Sequence, residues 1–376
     1  MNSFFLLLLV IPISFAEDPN QLISAIVLFR HGARAPTDRL SNESFHEYFP
    51  NGLGELTDIG IQGSIQLGKF LRSRYIDTGF LKDPILPSQV YFRSRANSRC
   101  LMTASLVGNG MFSSAERPIN PAVPVYSQEH DDYMLFSGSN CEPERKRVYE
   151  TCGRYPEPNY KRFTEYQGFI YECLGLEKNS TLFPTGHSFS IADSLLNEYQ
   201  NGLPMPKWFM DNKHEIYDDF VKVDNFIIGS GEYHNPEILR LKCGYLLHTI
   251  LEDLKSSWET YSRHGHLDRK KFMAYSTQDW LMQAFMDAIG IRAAAIGSYS
   301  SPTYNSMIIL ELRKVNQLTV IKVFYRDPTR GINDVTSSIR GCKSHPECPL
   351  PSVLSCCPQY VTANPEKECY PSKAVR

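Results

Sequence analysis

Beyond its first sixteen residues the chain contains no long apolar run. No later segment approaches the eighteen or so apolar residues that a membrane-spanning helix needs, so no span is expected. Charge of one sign is lacking too: 39 lysines and arginines face 41 aspartates and glutamates, a formal net charge of −2. That balance supplies no field to hold nucleic acid or an anionic membrane. The densest charge clusters, residues 144–147 and 263–271, mix both signs and read as solvated faces. No C-x-x-C pair stands with partner histidines, and His46, His187, His214 and His248 keep no metal-ligand spacing. The sequence therefore calls for no metal and no organic cofactor. Internal repeats and low-complexity tracts are missing, which argues against a repeat architecture.

What is present begins with a leader. Residues 4–10 are apolar and Ser14-Phe15-Ala16 supplies small residues before Glu17. This reads as a secretory signal peptide over residues 1–16, although its usual basic start is missing. The mature protein is then expected in the secretory pathway, either secreted or in the lysosomal lumen. Ten cysteines fit an oxidising compartment, and five of them (Cys342, Cys348, Cys356, Cys357 and Cys369) crowd the tail. Asn42-Glu43-Ser44 and Asn179-Ser180-Thr181 are N-glycosylation sequons, at Asn42 and Asn179.

The pattern of elements predicts an α/β fold. Residues 23–29 read as a buried strand and Thr57 as the N-cap of a helix reaching Tyr75. A strand over 89–93 and a helix over 97–107 follow, and strand–helix alternation argues for a parallel sheet. From 139 to 266 the chain is rich in Tyr, Lys, Glu and Pro, with helical periods such as 238–254. We read it as a mostly helical cap inserted into a core made of residues 17–138 and 267–376. A strand pattern returns at 271–277, 280–289 looks helical, and 307–312 and 318–325 suggest a hairpin. The tail after Asp327 is expected to be irregular.

The most informative stretch is Arg30-His31-Gly32-Ala33-Arg34-Ala35-Pro36, placed just after the first strand. A neutral imidazole can attack phosphorus while two guanidinium forks hold phosphoryl oxygens. In open α/β sheets ligands bind outside the carboxyl ends of the strands. The second strand end carries Arg93, Ser94, Arg95 and Arg99, and the third carries Gln278 and Asp279. A lone histidine in such a place is usually a core residue capped by a carbonyl. The arginines, glycine and proline in register with His31 set it apart. Arg99 alone would read as a surface arginine, and Asp279 alone as a helix N-cap.

This chain resembles the histidine acid phosphatase family. The resemblance rests on R-H-G-x-R-x-P at 30–36, on Arg93-Ser94 followed by Arg99-Cys100-Leu101-Met102-Thr103-Ala104, and on Gly54-x-Leu56-Thr57-x-x-Gly60. It implies a mainly parallel mixed sheet sandwiched by helices, with a helical cap. It implies acid phosphatase activity on small phosphomonoesters, with His31 as nucleophile, Asp279 as proton donor, and Arg30, Arg34 and Arg99 as phosphate ligands. It also implies Cys152–Cys369 and Cys342–Cys348 disulfides, leaves the other six cysteines unassigned, and allows a homodimer. One departure stands out: the family reads His-Asp where this chain reads Gln278-Asp279. Gln278 can still donate from its amide to phosphate but cannot become a cation. Arg95 and Asn97 also stand where the family has a small polar residue and an acid. A phosphate-binding pseudoenzyme is the competing reading, and retention of Asp279 argues against it. A phosphatase for inositol phosphates would want a strongly basic cap, and the cap charge is mixed. Arg263-His264-Gly265 and His130-Asp131 mimic the motifs but read as polar loops, while His187 could line the cleft.

Overall fold

The computed structural model describes residues 20–113, 122–135, 141–156, 162–176, 189–297, 300–342 and 346–370. The expected leader, Asn179 and His187 lie outside them. The fold is organised by β1 (Asn20–Arg30), whose residues 23–30 are all buried. A strand apolar on both faces must be covered on both, which is the habit of interior strands in α/β sheets. β1 runs parallel to β4 (Phe272–Thr277) on one side and antiparallel to β5 (Met307–Val315) on the other. β2 (Val90–Arg95) lies beyond β4 and β3 (Val125–Gln128) beyond β2, both parallel. β5 continues into the antiparallel β6 (Leu318–Asp327) and β7 (Gly331–Asp334), while the two-residue β8 (Cys348–Pro349) also pairs with β6. The order is β3-β2-β4-β1-β5-β6-β7.

The alternation of β1 divides the core. Ala25, Val27 and Phe29 pack with Leu67 and Leu71 of α1 (Asp58–Tyr75) and with Val107 and Met111 of α2 (Ser98–Phe112). Ile26 and Leu28 face the opposite way. Helices α3 (Glu142–Cys152), α4 (Phe163–Cys173), α5 (Phe189–Gln200) and α6 (Lys207–Ile228) precede α7 (Pro236–His264), and α8 (Asp279–Ile289) follows β4. Leu246, Ile250 and Leu254 of α7 and Leu281 and Phe285 of α8 join Ile26 and Leu28 in one cluster. The last helix before residue 266 thus packs against β1 of the sheet. Its apolar stripe is no different from that of a cap helix, which is why periodicity could not assign it.

Thr57 accepts from the Gly60 amide at the start of α1. Asn97 accepts from the Cys100 amide and caps α2. Three loop expectations need correction. A strand, β3, precedes His130-Asp131; it is only four residues long and mostly exposed. Arg263 and His264 end α7 rather than forming a loop, with Gly265 as the left-handed cap. The tail carries β7 and β8 as well as the short helices α10 (Leu350–Leu354) and α11 (Pro365–Cys369), where none was expected; α9 (Arg292–Ile296) lies upstream.

The Cys152–Cys369 pairing is also corrected. Cys369 bonds to Cys141, and Cys152 to Cys173; Cys342 meets Cys348, and Cys356 meets Cys357. Cys141 and Cys152 bracket α3, and eleven residues of helix separate them by about 16 Å. Only the N-terminal one lies beside α11. Cys100 and Cys243 are buried thiols. The Cys141–Cys369 link spans 228 residues and Cys152–Cys173 spans 21. In the chain-entropy picture, replacing the first pair by serine is expected to cost about 5 kcal/mol and the second about 3 kcal/mol. Denaturant midpoints of the two double variants check the ranking. Non-reducing peptide mapping checks the pairing.

Candidate active site

The site is assembled where β1 and β4 end side by side. The Arg30 amide donates to Ser306 O and the His31 amide to Thr277 O at 3.1 Å, so the backbone stays clamped as it leaves the sheet. Gly32 follows because nothing larger fits. A Cβ there would lie 2.4 Å from Gly60 O, on the first turn of α1. Its amide donates to Thr103 Oγ1 on α2.

His31 is 2 % exposed. Its Nδ1 lies 2.8 Å from Gly32 O. A carbonyl oxygen only accepts, so Nδ1 carries the proton and the neutral ring keeps its lone pair on Nε2. Burial, with the charges of Arg99, Arg30 and Arg34 adding, pushes the His31 pKa well below 6.5, against the pull of Gly32 O. The ring therefore stays neutral into the acid range.

The three arginines differ in what they hold. Arg30 donates to Pro302 O at 2.6 Å, pairs with Asp279 Oδ2 at 2.5 Å and lies 4.0 Å from the centre of the Tyr304 ring. Arg34 grips Asp193 with both ends of its fork, at 2.7 and 3.2 Å. Burial works against both charges of that pair, but their attraction prevails: Arg34 is raised and Asp193 lowered. Arg99 has no carboxylate partner among the described residues and reaches only Gly54 O, at 3.4 Å. Burial, then the nearby Arg34, lowers its pKa. Buried Arg99 Nε has no partner. A guanidinium held in the interior with its charge unpaired is poised for an incoming anion.

At the end of β4, Gln278 takes the N-cap position of α8 and Asp279 is the first helical residue. Gln278 Oε1 accepts from Trp280 Nε1 at 2.8 Å and from Arg95 Nη1. Asp279 accepts from the Trp280 amide through Oδ1 and meets Arg30 through Oδ2. The structure thus brings His31, Arg30, Arg34, Arg99, Gln278 and Asp279 to one strand-end crevice. That crevice opens into a cleft of about 560 Å³ lined by Arg30, Arg34, Asp193, Asp279 and Tyr304 among others. Arg93, at the same strand end, is committed to Asp132 at 2.7 Å. Residues 131 and 264 are exposed, and so is His130.

Residues 21–326 match the histidine phosphatase superfamily, branch 2. The chain belongs to that family. It is 35% identical over 370 residues to putative acid phosphatase 1 of Caenorhabditis briggsae, covering 96% of this chain and 85% of that protein. Bovine (Bos taurus) prostatic acid phosphatase is 24% identical over 352 residues, covering 91% of this chain and 86% of its own. The apo form of Hafnia alvei phytase superposes with a TM-score of 0.61 at 16% identity, over 93% of this chain and 99% of that one, and shares the fold.

Three site residues of this branch 2 phosphatase escaped the sequence reading. Asp193 lies on α5, inside the expected cap, and nothing in its surroundings marks it as the partner of Arg34. Asn197, one turn on, donates to Asp193 Oδ1 at 2.9 Å. It also accepts from the Tyr304 hydroxyl. Tyr304 sits in the loop before β5 and shows no motif. Arg95 was visible only as a departure, with no sign of what it meets.

Proposed function

We propose that this phosphomonoester hydrolase works through a phosphohistidine formed at Nε2 of His31. The observation that carries the reading is the Nδ1–H donated to Gly32 O in a buried ring surrounded by Arg30, Arg34 and Arg99. It leaves the nucleophilic lone pair on the nitrogen that is free to attack. The phosphoryl group is held by Arg30, Arg34 and Arg99, with the Gln278 amide as a neutral fourth donor. Attack makes the N–P bond as the ester P–O bond breaks, and Asp279 gives its proton to the departing oxygen. The carboxylate so formed takes a proton from water, whose oxygen attacks phosphorus, and the N–P bond breaks. Inorganic phosphate leaves, and His31 and protonated Asp279 are regenerated. Positive groups preset around the phosphoryl oxygens carry most of the stabilisation.

The acid phosphatase relatives give no support to a pseudoenzyme. Exposed Asn42 supports passage through the secretory route, and no helix among the described residues is long and apolar enough to cross a membrane. Hydrolysis of p-nitrophenyl phosphate by purified protein, followed across the acid to neutral range, tests the reading. Orthovanadate binding without turnover at any pH would overturn it.

Acid conditions should also favour the fold. Asp224 on α6 is buried and its carboxylate accepts from Gln167 Nε2 at 2.7 Å. Burial, with the Asp279 charge adding, pushes it from 3.8 up to about 8, against Gln167 and Arg30. The folded protein thus keeps a proton that the unfolded chain releases. Stability is full below the unfolded value and falls as pH rises toward the folded one, by up to about 1.4 kcal/mol per pH unit. Asp224→Asn is expected to flatten that slope in denaturant titrations run at acid and neutral pH. An unchanged slope would show that Asp224 is ionised in the fold.

A further inference from the structure

Arg95 and Gln278, both departures from the family pattern, are 183 residues apart and meet at the site. Arg95 is the last residue of β2, and Gln278 follows β4, its parallel neighbour. Gln278 Oε1 accepts from Arg95 Nη1 and, at 2.8 Å, from Trp280 Nε1. A guanidinium and an indole N–H can only donate. Together they decide which end of the amide is oxygen, and they leave both Nε2 hydrogens without a protein partner among the described residues. Gln278 is 7 % exposed, so this free donor sits in the crevice beside Asp279 rather than in bulk water.

Glutamine is a costly residue to order, because burying its side chain gives up much rotamer freedom. Unheld, it would turn either end of its amide toward a phosphoryl oxygen, and the carbonyl end would repel it. A donor set in place before the charge develops is worth more than one that must be recruited. We propose that Arg95 is a positioning residue of the phosphatase reaction: it locks the Gln278 amide so that Nε2 donates to the bound phosphoryl group. The proposal rests on the reading of this crevice as the phosphoryl site. The two departures are then one paired change. A histidine at 278, cationic in acid, would point a positive ring at the Arg95 guanidinium that now donates to Gln278 Oε1.

The test is a cycle of Arg95→Ala, Gln278→Ala and the double variant, with inhibition by orthovanadate and kcat and KM for p-nitrophenyl phosphate as readouts. Because Arg95 acts through Gln278, Arg95→Ala should weaken vanadate inhibition by roughly tenfold in the native background and hardly at all when residue 278 is alanine. Arg95→Lys, which keeps one charged donor, should recover part of the loss. Gln278→His should lose activity alone and regain it when combined with Arg95→Ser. Additive single effects, or Gln278→His outperforming the parent with Arg95 intact, would overturn the proposal. If Arg95→Ala melts early, the Arg95→Lys and Gln278→His arms decide on their own. Phosphate trapped on His31 of the parent reads the site assignment separately. Label elsewhere sinks the reading of the crevice, whereas label on His31 with additive effects sinks only the role of Arg95.

Discussion

His31→Ala is expected to abolish turnover, by at least about 10⁴-fold, while the protein still folds and melts cooperatively. The size follows from the kind of step removed. A missing hydrogen-bond donor weakens a transition state, but a missing nucleophile removes the path, and comparable removals in hydrolases cost that much or more. His130 and His264, which mimic the motifs, are exposed rather than held in the buried crevice. The fold should tolerate the change. Among the described residues the ring's one hydrogen bond is to the next residue's carbonyl, and the backbone clamps to Thr277 and Ser306 do not involve it. Relieving three guanidiniums of a buried ring should, if anything, help phosphate binding. The decisive measurement is acid-labile phosphate trapped by quenching a reaction with labelled substrate. It should sit on His31 of the parent and vanish in the variant. Label on another histidine would refute the assignment.

Asp279→Asn should have the next largest effect, and its size should depend on the substrate. General acid catalysis of this type is worth about 10² to 10⁴ in rate. An alkyl alkoxide is a poor leaving group and needs the proton, so alkyl phosphates should lose that full factor. A nitrophenolate departs well without protonation, so p-nitrophenyl phosphate should lose much less in the phosphorylation step. In the proposed cycle dephosphorylation also calls on Asp279, as the base that activates water. Phosphohistidine should therefore accumulate on the variant when the leaving group is good. Arg30 would lose the carboxylate it meets at 2.5 Å, while keeping Pro302 O and the Tyr304 ring. Vanadate binding should accordingly survive. Equal losses on alkyl and aryl substrates, with no accumulated intermediate, would show that Asp279 does not handle the leaving-group proton.

His31, its glycine and the flanking arginines were legible as a candidate site because they are contiguous. A strand end places them together whatever the rest of the chain does. The same holds for Thr57, for the apolar run that becomes β1, and for the helix after Asp279. Each is set by interactions within a few residues of itself. The consequences of Gln278 were not legible. Read alone, a neutral amide at this position looks like a weak phosphate ligand, and only the meeting of β2 with β4 shows that Arg95 donates to it.

The elements the sequence left undecided have a common feature. Asp193 meets Arg34 across 159 residues. Cys141 meets Cys369 across 228. β3, β7 and β8 are short strands with little apolar pattern, defined by the neighbours that supply their hydrogen bonds. α7 carries a stripe that would serve equally well against a cap or a sheet. By itself the sequence determined which residues stand together at the first strand end and the class of the fold, because local geometry and hydrophobic period need no partner. Only the tertiary structure decided which acid neutralises which arginine, which cysteines join and which way the Gln278 amide faces. Those contacts join segments far apart in sequence, and a side chain's charge or hydrogen-bonding capacity does not specify which distant partner the topology will bring to it.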